Sequence, residues 1–253
     1  GEPGRPLVVL QHGGGQTRHA WKGAGETLGA AGYYVVAFDA RGHSDSGWAA
    51  PDAYTVDHMV ADLTAVCRAL GSDNPILVGA SMGGGTSLVA AGEAHIPASA
   101  LVLVDMAPKI DPVGTAKIQD FMNQKPDGFD SLEEVAEAIA NYQPHRKRPR
   151  TLDGLAKNVR LAPSGKYVWH WDPVRRNHRR MSEYRERLSQ SADKLTLPTL
   201  LVRGGLSDVL TEEGAQSFLE QCPHAEYVNV KNAAHMVAGD RNDIFADAVI
   251  EFL

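Results

Sequence analysis

The sequence predicts an α/β protein with a mostly parallel sheet. Short apolar runs rich in β-branched residues alternate along the chain with segments of helical period, the pattern of strands joined by helical crossovers. The length of 253 residues suits one large domain, or one domain carrying an insertion.

Six strands are expected. Leu7-Val8-Val9-Leu10 is a continuous apolar run ended by His12-Gly13-Gly14-Gly15, a buried strand entering a loop. Tyr33 to Phe38 is the next and stops at Asp39. Thr55 then caps a helix whose apolar residues Val56, Met59, Val60, Leu63, Val66, Cys67 and Leu70 form one buried face. Pro75 to Val78 and Ala100 to Val104 are the third and fourth strands, and Thr199 to Val202 and Tyr227 to Val230 the last two. The rhythm breaks over residues 108–193. Ser131-Leu132-Glu133-Glu134 is a capping box opening a helix there, and no strand of the core's character is visible. The expected division is therefore a core of 1–107 and 194–253 with a mainly helical lid, 108–193. No internal repeat or low-complexity tract is present.

Composition narrows the setting. Hydrophobic residues make up 43% and charged residues 22%, ordinary values for a soluble globular protein. No run approaches the roughly 20 apolar residues that cross a bilayer, and no basic-then-apolar leader opens the chain. Residue 1 is glycine, so a trimmed or processed chain is expected. Two cysteines, Cys67 and Cys222, read as reduced structural thiols of a cytoplasmic protein. The net charge of −6 argues against general nucleic-acid binding. It is unevenly spread: His145 to Arg187 holds 13 Lys/Arg and 4 Asp/Glu, so this stretch is +9 and the rest −15.

The chemistry centres on Val78-Gly79-Ala80-Ser81-Met82-Gly83, which follows a strand and opens an alanine-rich helix. That is the context of a nucleophile elbow, a turn too tight for side chains at Gly79 and Gly83. It presents the serine hydroxyl above the strand end, at a helix N-terminus that favours developing negative charge. The plain alternative is a glycine-rich turn or phosphate loop, but no Gly-Lys-Ser/Thr follows. An attacking serine needs a base, and the base an orienting acid. His235 lies in the loop after the last strand, and Asp208 in the loop after Leu200 to Val202. Both loops sit at carboxyl ends of strands, where sites in such sheets gather. Asp105 also ends a strand. The order Ser81, Asp208, His235 is read as favouring Asp208. The oxyanion donors expected are the backbone N–H groups of Gly14 and Met82, while His12 is read as ordering its own loop. The ten histidines are scattered without metal-ligand spacing, and no cofactor or metal is implied.

These residues resemble the α/β-hydrolase superfamily, in its lid-bearing branch of small serine hydrolases. The resemblance covers nearly the whole chain: His12-Gly13, Asp39-Ala-Arg41-Gly42-His43-Ser44, Gly79-Ala-Ser81-Met-Gly83, Asp208 and His235. It implies an α/β-hydrolase fold, a structural role for Asp39 to Ser44, and a lid at 108–193. The family's sheet usually has eight strands, so its N-terminal pair is expected to be missing here. Three glycines follow His12 where many lidded members carry an aromatic-proline pair, and Ser81 stands where epoxide hydrolases and haloalkane dehalogenases carry aspartate.

The activity implied is hydrolysis of a small carboxylic ester, thioester or lactone through an acyl-serine. Carbon–carbon bond hydrolases and cofactor-free haloperoxidases share the triad and remain alternatives, as does a non-catalytic ligand receptor on the same fold. Trp169 and Trp171, with His170 between them, are candidates for the pocket wall, against ordinary packing. Arg175 to Arg180 is too dense to face one pocket. It reads as a solvated face, with docking onto the acidic core or a partner subunit of a homo-oligomer as alternatives, and no arginine clamp is assigned.

Overall fold

The computed structural model describes residues 1–144, 152–173 and 181–253. The basic runs His145 to Arg150 and Arg175 to Arg180 therefore lie outside the described residues.

Six parallel strands form the sheet: β1 (Leu7–Gln11), β2 (Tyr34–Phe38), β3 (Ile76–Ala80), β4 (Ala100–Val104), β7 (Thr199–Gly204) and β8 (Glu226–Val230). Their order is β2-β1-β3-β4-β7-β8. Each strand coincides with a run read from the sequence: the inner four are buried on both faces and nearly continuously apolar, and the edge strands β2 and β8 are partly buried.

Alternation along the strands divides the core into two layers. Val9, Leu77, Leu101, Leu103 and Leu201 face α2 (Val56–Ala69), α3 (Met82–Gly92), α6 (Met181–Ala192) and α7 (Glu212–Gln221). Val8, Leu10, Val78, Val102 and Val202 face Trp21, α1 (Lys22–Ala30) and α9 (Asn242–Phe252). Thr55 caps α2 as expected, accepting from the His58 N–H. Cys67 and Cys222 are both buried and free, and burial pushes the Cys67 thiol up to about 11.

Between β4 and β7 lie α4 (Pro112–Asn123), α5 (Leu132–Tyr142), a hairpin of β5 (Val159–Leu161) with β6 (Tyr167–Trp169), and α6. The hairpin is absent from the sequence reading; strands of three residues are too short to show a period. Ser131 accepts from the Glu134 N–H at 3.2 Å, one half of the capping box. The Glu134 carboxylate takes the Asp130 N–H instead of that of Ser131, at 2.9 Å. Phe129, Val135, Val159, Trp169 and Trp171 form a separate small core here.

Helix α6 belongs with the main core, although the boundary after residue 193 grouped it with the lid. A Cβ on Gly92 would stand 2.2 Å from the Ser191 carbonyl oxygen, and one on Gly85 would stand 2.0 Å from the Tyr184 hydroxyl. Glycines seven residues apart thus let α6 lie directly on α3. Arg187 ties the pair, holding Glu93 with Nε and Nη2 at 2.8 Å each and Asp57 at 2.8 Å. The guanidinium holds the Glu93 carboxyl down at about 2. No helix among the described residues is long and apolar enough to cross a membrane.

Candidate active site

Ser81 occupies the turn between β3 and α3 with φ 48° and ψ −112°, in the left-handed region that costs a non-glycine residue of order 1–3 kcal/mol. The turn is locked from both sides. A Cβ on Gly79 would lie 2.4 Å from the Gly83 carbonyl oxygen, and one on Gly83 would lie 2.5 Å from the Gln11 carbonyl oxygen. Both are backbone atoms that cannot give way. The elbow motif thus reflects close backbone approach, as its glycines suggested.

His235 follows β8 and Asp105 follows β4, the two strands flanking β7. Their loops converge over the end of β7, where a Cβ on Gly204 would meet the Ala234 carbonyl oxygen at 2.2 Å. There His235 Nδ1 lies 2.7 Å from Asp105 Oδ2. Asp105 is fully buried and receives two more donors, the Gly204 N–H on Oδ1 at 2.8 Å and the Ser207 hydroxyl on Oδ2 at 2.5 Å. It too has a left-handed backbone, φ 49°. A carboxylate can only accept, so the Asp105 contact assigns the proton to Nδ1 and leaves the Nε2 lone pair available.

This geometry corrects the expectation for Asp208. Its carboxylate is 53% exposed and pairs with Lys117 on α4 at 2.7 Å. The cause is local: the Ser207 hydroxyl turns inward to Asp105 and accepts the N–H groups of Val209 and Leu210, at 3.1 and 3.2 Å. Its neighbour Asp208 faces outward. Asp105 satisfied the same chain order and ended the fully apolar run Leu101 to Val104, which was its only signal in the sequence.

The glycine loop after β1 lies against the elbow; a Cβ on Gly13 would come within 3.3 Å of Ser81 Cβ. The amides flanking Gly14 are committed, Gly13 N–H to Gln16 Oε1 at 3.0 Å and Gly15 N–H to His43 Nε2 at 3.2 Å. Gly14 and Met82 both line the cavity beside Ser81, with Met82 at the first position of α3. His12 holds the loop as expected, its Nδ1 2.8 Å from the Gly13 carbonyl and its Nε2 accepting from the Ala40 N–H at 3.0 Å. The segment from Asp39 to Ser44 supports from behind. Asp39 pairs with Arg18, Arg41 forks onto Asp62 at 2.6 and 2.7 Å, and His43 secures Gly15. The role of His43 at Gly15 was not visible in the sequence.

Ser81, Asp105 and His235 line one cavity of about 610 Å³, roofed by residues from the segment between β4 and β7. Trp169 and Trp171 are both in its wall, stacked with centroids 4.7 Å apart. Their indole Nε1 groups are buried with no hydrogen-bond partner. Tyr142, stacked on Phe121 at 4.2 Å, also lines it, and burial pushes its phenol up to about 12. Among the described residues no group of His, Cys, Asp and Glu could hold a metal ion.

His170, between the two tryptophans, does not line the cavity. It is buried, and its Nδ1 accepts the Ser44 N–H at 2.9 Å, tying β6 to the loop after β2. Burial, with His12 nearby, lowers its pKa to about 4. The folded state thus resists a proton that the unfolded chain binds near 6.5, so stability is complete above that value and is lost as pH falls toward 4. Between pH 7 and pH 5 this group is expected to remove about 2 kcal/mol. Urea unfolding at the two pH values should show that loss in the wild type, and a correspondingly smaller one in His170→Asn; equal losses would refute the assignment.

A family model described as alpha/beta hydrolase fold matches residues 6–241. An esterase of Mycobacterium tuberculosis, Rv0045c, is 28% identical over 246 residues, covering 93% of this chain and 78% of the esterase. The mouse sn-1-specific diacylglycerol lipase ABHD11 is 28% identical over 234 residues, covering 87% of this chain and 71% of the lipase. Among solved structures, E-2-(acetamidomethylene)succinate hydrolase superposes with a TM-score of 0.85 at 21% identity, covering 98% of this chain and 91% of that one. With the family's pattern matched from the first strand to beyond His235, the chain belongs to the alpha/beta hydrolase fold family.

Proposed function

We propose that the chain is a serine hydrolase of small carboxylic esters, thioesters or lactones, acting through an acyl-enzyme on Ser81. The observation that carries this reading is the buried Asp105 carboxylate, 2.7 Å from His235 Nδ1, in the cavity that also exposes Ser81 on a left-handed elbow. The esterase and lipase relatives support ester cleavage as the broad reaction.

The steps follow from the donors. His235 Nε2 takes the Ser81 hydroxyl proton as Oγ attacks the substrate carbonyl, and Asp105 stabilises the imidazolium that forms. Gly14 and Met82 N–H groups receive the negative charge on the carbonyl oxygen. Collapse of the tetrahedral species breaks the bond to the alcohol, which leaves with the proton from Nε2. Water, deprotonated by the same nitrogen, then releases the acid and restores Ser81.

Treatment with a fluorophosphonate followed by intact-mass measurement tests the nucleophile. One adduct is expected on the wild type and none on Ser81→Ala. No adduct on the wild type, or the same adduct on both, would overturn the mechanism.

A further inference from the structure

Of the described arginines that are not exposed, all but one have a carboxylate partner: Arg18 has Asp39 and Asp45, Arg41 has Asp62, Arg187 has Glu93 and Asp57, Arg203 has Glu212, and Arg241 has Asp243. The exception is Arg185 on α6. Its Nε is buried with no hydrogen-bond partner, and it has no ion pair among the described residues. Arg185 is partly buried, its Nε shielded from water and no carboxylate beside it, so a charged ligand group would complete its guanidinium.

Arg185 lines the cavity that holds Ser81 and His235. Its position follows from the packing of α6: the hydroxyl of its neighbour Tyr184 sits against Gly85, whose N–H donates to the Ser81 carbonyl at 2.9 Å. Arg185 therefore lies beside the first turn of the helix that the nucleophile begins. Charge in the lining is one-sided. Asp105 is the only carboxylate among the described lining residues and is committed to His235, whereas Arg185 and Lys157 are cationic. The stacked rings of Trp169 and Trp171 form an apolar part of the same wall. The described wall thus carries two cationic side chains against one carboxylate that is already engaged.

We propose that Arg185 receives a carboxylate carried by the substrate, so that the preferred substrates are esters bearing a free acid group at the end remote from the scissile bond. This rests on the serine-hydrolase reading and narrows it. The planar guanidinium offers paired N–H donors that match a carboxylate, and the low dielectric of the cavity strengthens the pair.

The test compares esters of the same shape and different charge: mono-4-nitrophenyl glutarate against 4-nitrophenyl pentanoate, and mono-4-nitrophenyl adipate against 4-nitrophenyl hexanoate. In the wild type kcat/KM for the acid-bearing member of each pair is expected to be the larger by tenfold or more, less so as salt rises. In Arg185→Gln that ratio should fall by about 10- to 100-fold, the range of a charge-assisted hydrogen bond, with partial recovery in Arg185→Lys. The ratio is insensitive to partial misfolding, which lowers both rates alike. A wild type without preference, or an unchanged ratio in Arg185→Gln, overturns the proposal. Should Ser81 resist fluorophosphonate and no ester turn over, the mechanism fails separately, and calorimetry with glutarate and adipate decides for Arg185. Binding to Ser81→Ala that weakens tenfold or more in Ser81→Ala/Arg185→Gln sustains the proposal, and absence of binding or equal binding refutes it.

Discussion

Asp105→Asn should lower kcat on an activated ester by about 10³- to 10⁴-fold while leaving the fold intact, because the effect of such a change is on the tautomer of the base. In the wild type the carboxylate accepts from His235 Nδ1 and so leaves the Nε2 lone pair available for the base role proposed for it. An asparagine amide offers an N–H in the same place, which favours the opposite tautomer and a base already protonated where it must accept. Asp208→Asn is the matched comparison. Its carboxylate is exposed and meets Lys117, so the loss is one surface ion pair worth about 0–1 kcal/mol, and kcat should stay within about threefold. Steady-state kinetics of the two variants decide between the carboxylates. A large loss in Asp208→Asn with little in Asp105→Asn would reverse the assignment.

The second large effect is on the fold. Gly83→Ala is expected to cost more than about 4 kcal/mol, a large part of the stability of a typical domain. Its Cβ would lie 2.5 Å from the Gln11 carbonyl oxygen, 2.6 Å from Gln11 Cβ and 2.7 Å from the Gln11 carbonyl carbon. Relief would require β1 to separate from the start of α3, in the middle of a sheet where β1 is bonded on both sides. Gly47→Ala is the control, since a Cβ there meets nothing within 4 Å, and it should change stability by less than about 1 kcal/mol. Urea unfolding of both variants measures the difference. A Gly83→Ala protein as stable as the wild type would show that the elbow is not held by this contact.

The sequence was most informative where a requirement is local. The inner strands β1, β3, β4 and β7 are buried on both faces and read as near-continuous apolar runs, and the partly buried edge strands β2 and β8 are rich in β-branched and aromatic residues, so all six could be read directly. A turn whose flanking positions touch backbone needs glycine, which made the elbow at Ser81 visible. A single loop after the last strand carried the one histidine in that region, and His235 followed. Thr55 and Ser131 marked helix starts because a cap acts within three residues.

What tertiary structure decided were the pairings across distance. Asp105 and Asp208 both end strands, and both precede His235, so chain order cannot separate them. The choice depends on which way the Ser207 hydroxyl turns, and on the adjacency of β4, β7 and β8 that brings 105 and 235 together across 130 residues of chain. The hairpin of β5 and β6 was silent because its strands are too short for a period. Trp169 and Trp171 could be suspected as wall or as packing, and in the structure they are both at once. Arg185 could not be distinguished from the other arginines of a +9 stretch, since charge density says nothing about which cation lacks a partner. Composition made the segment basic; the packing of α6 on α3 is what carries Arg185 into the cavity of Ser81.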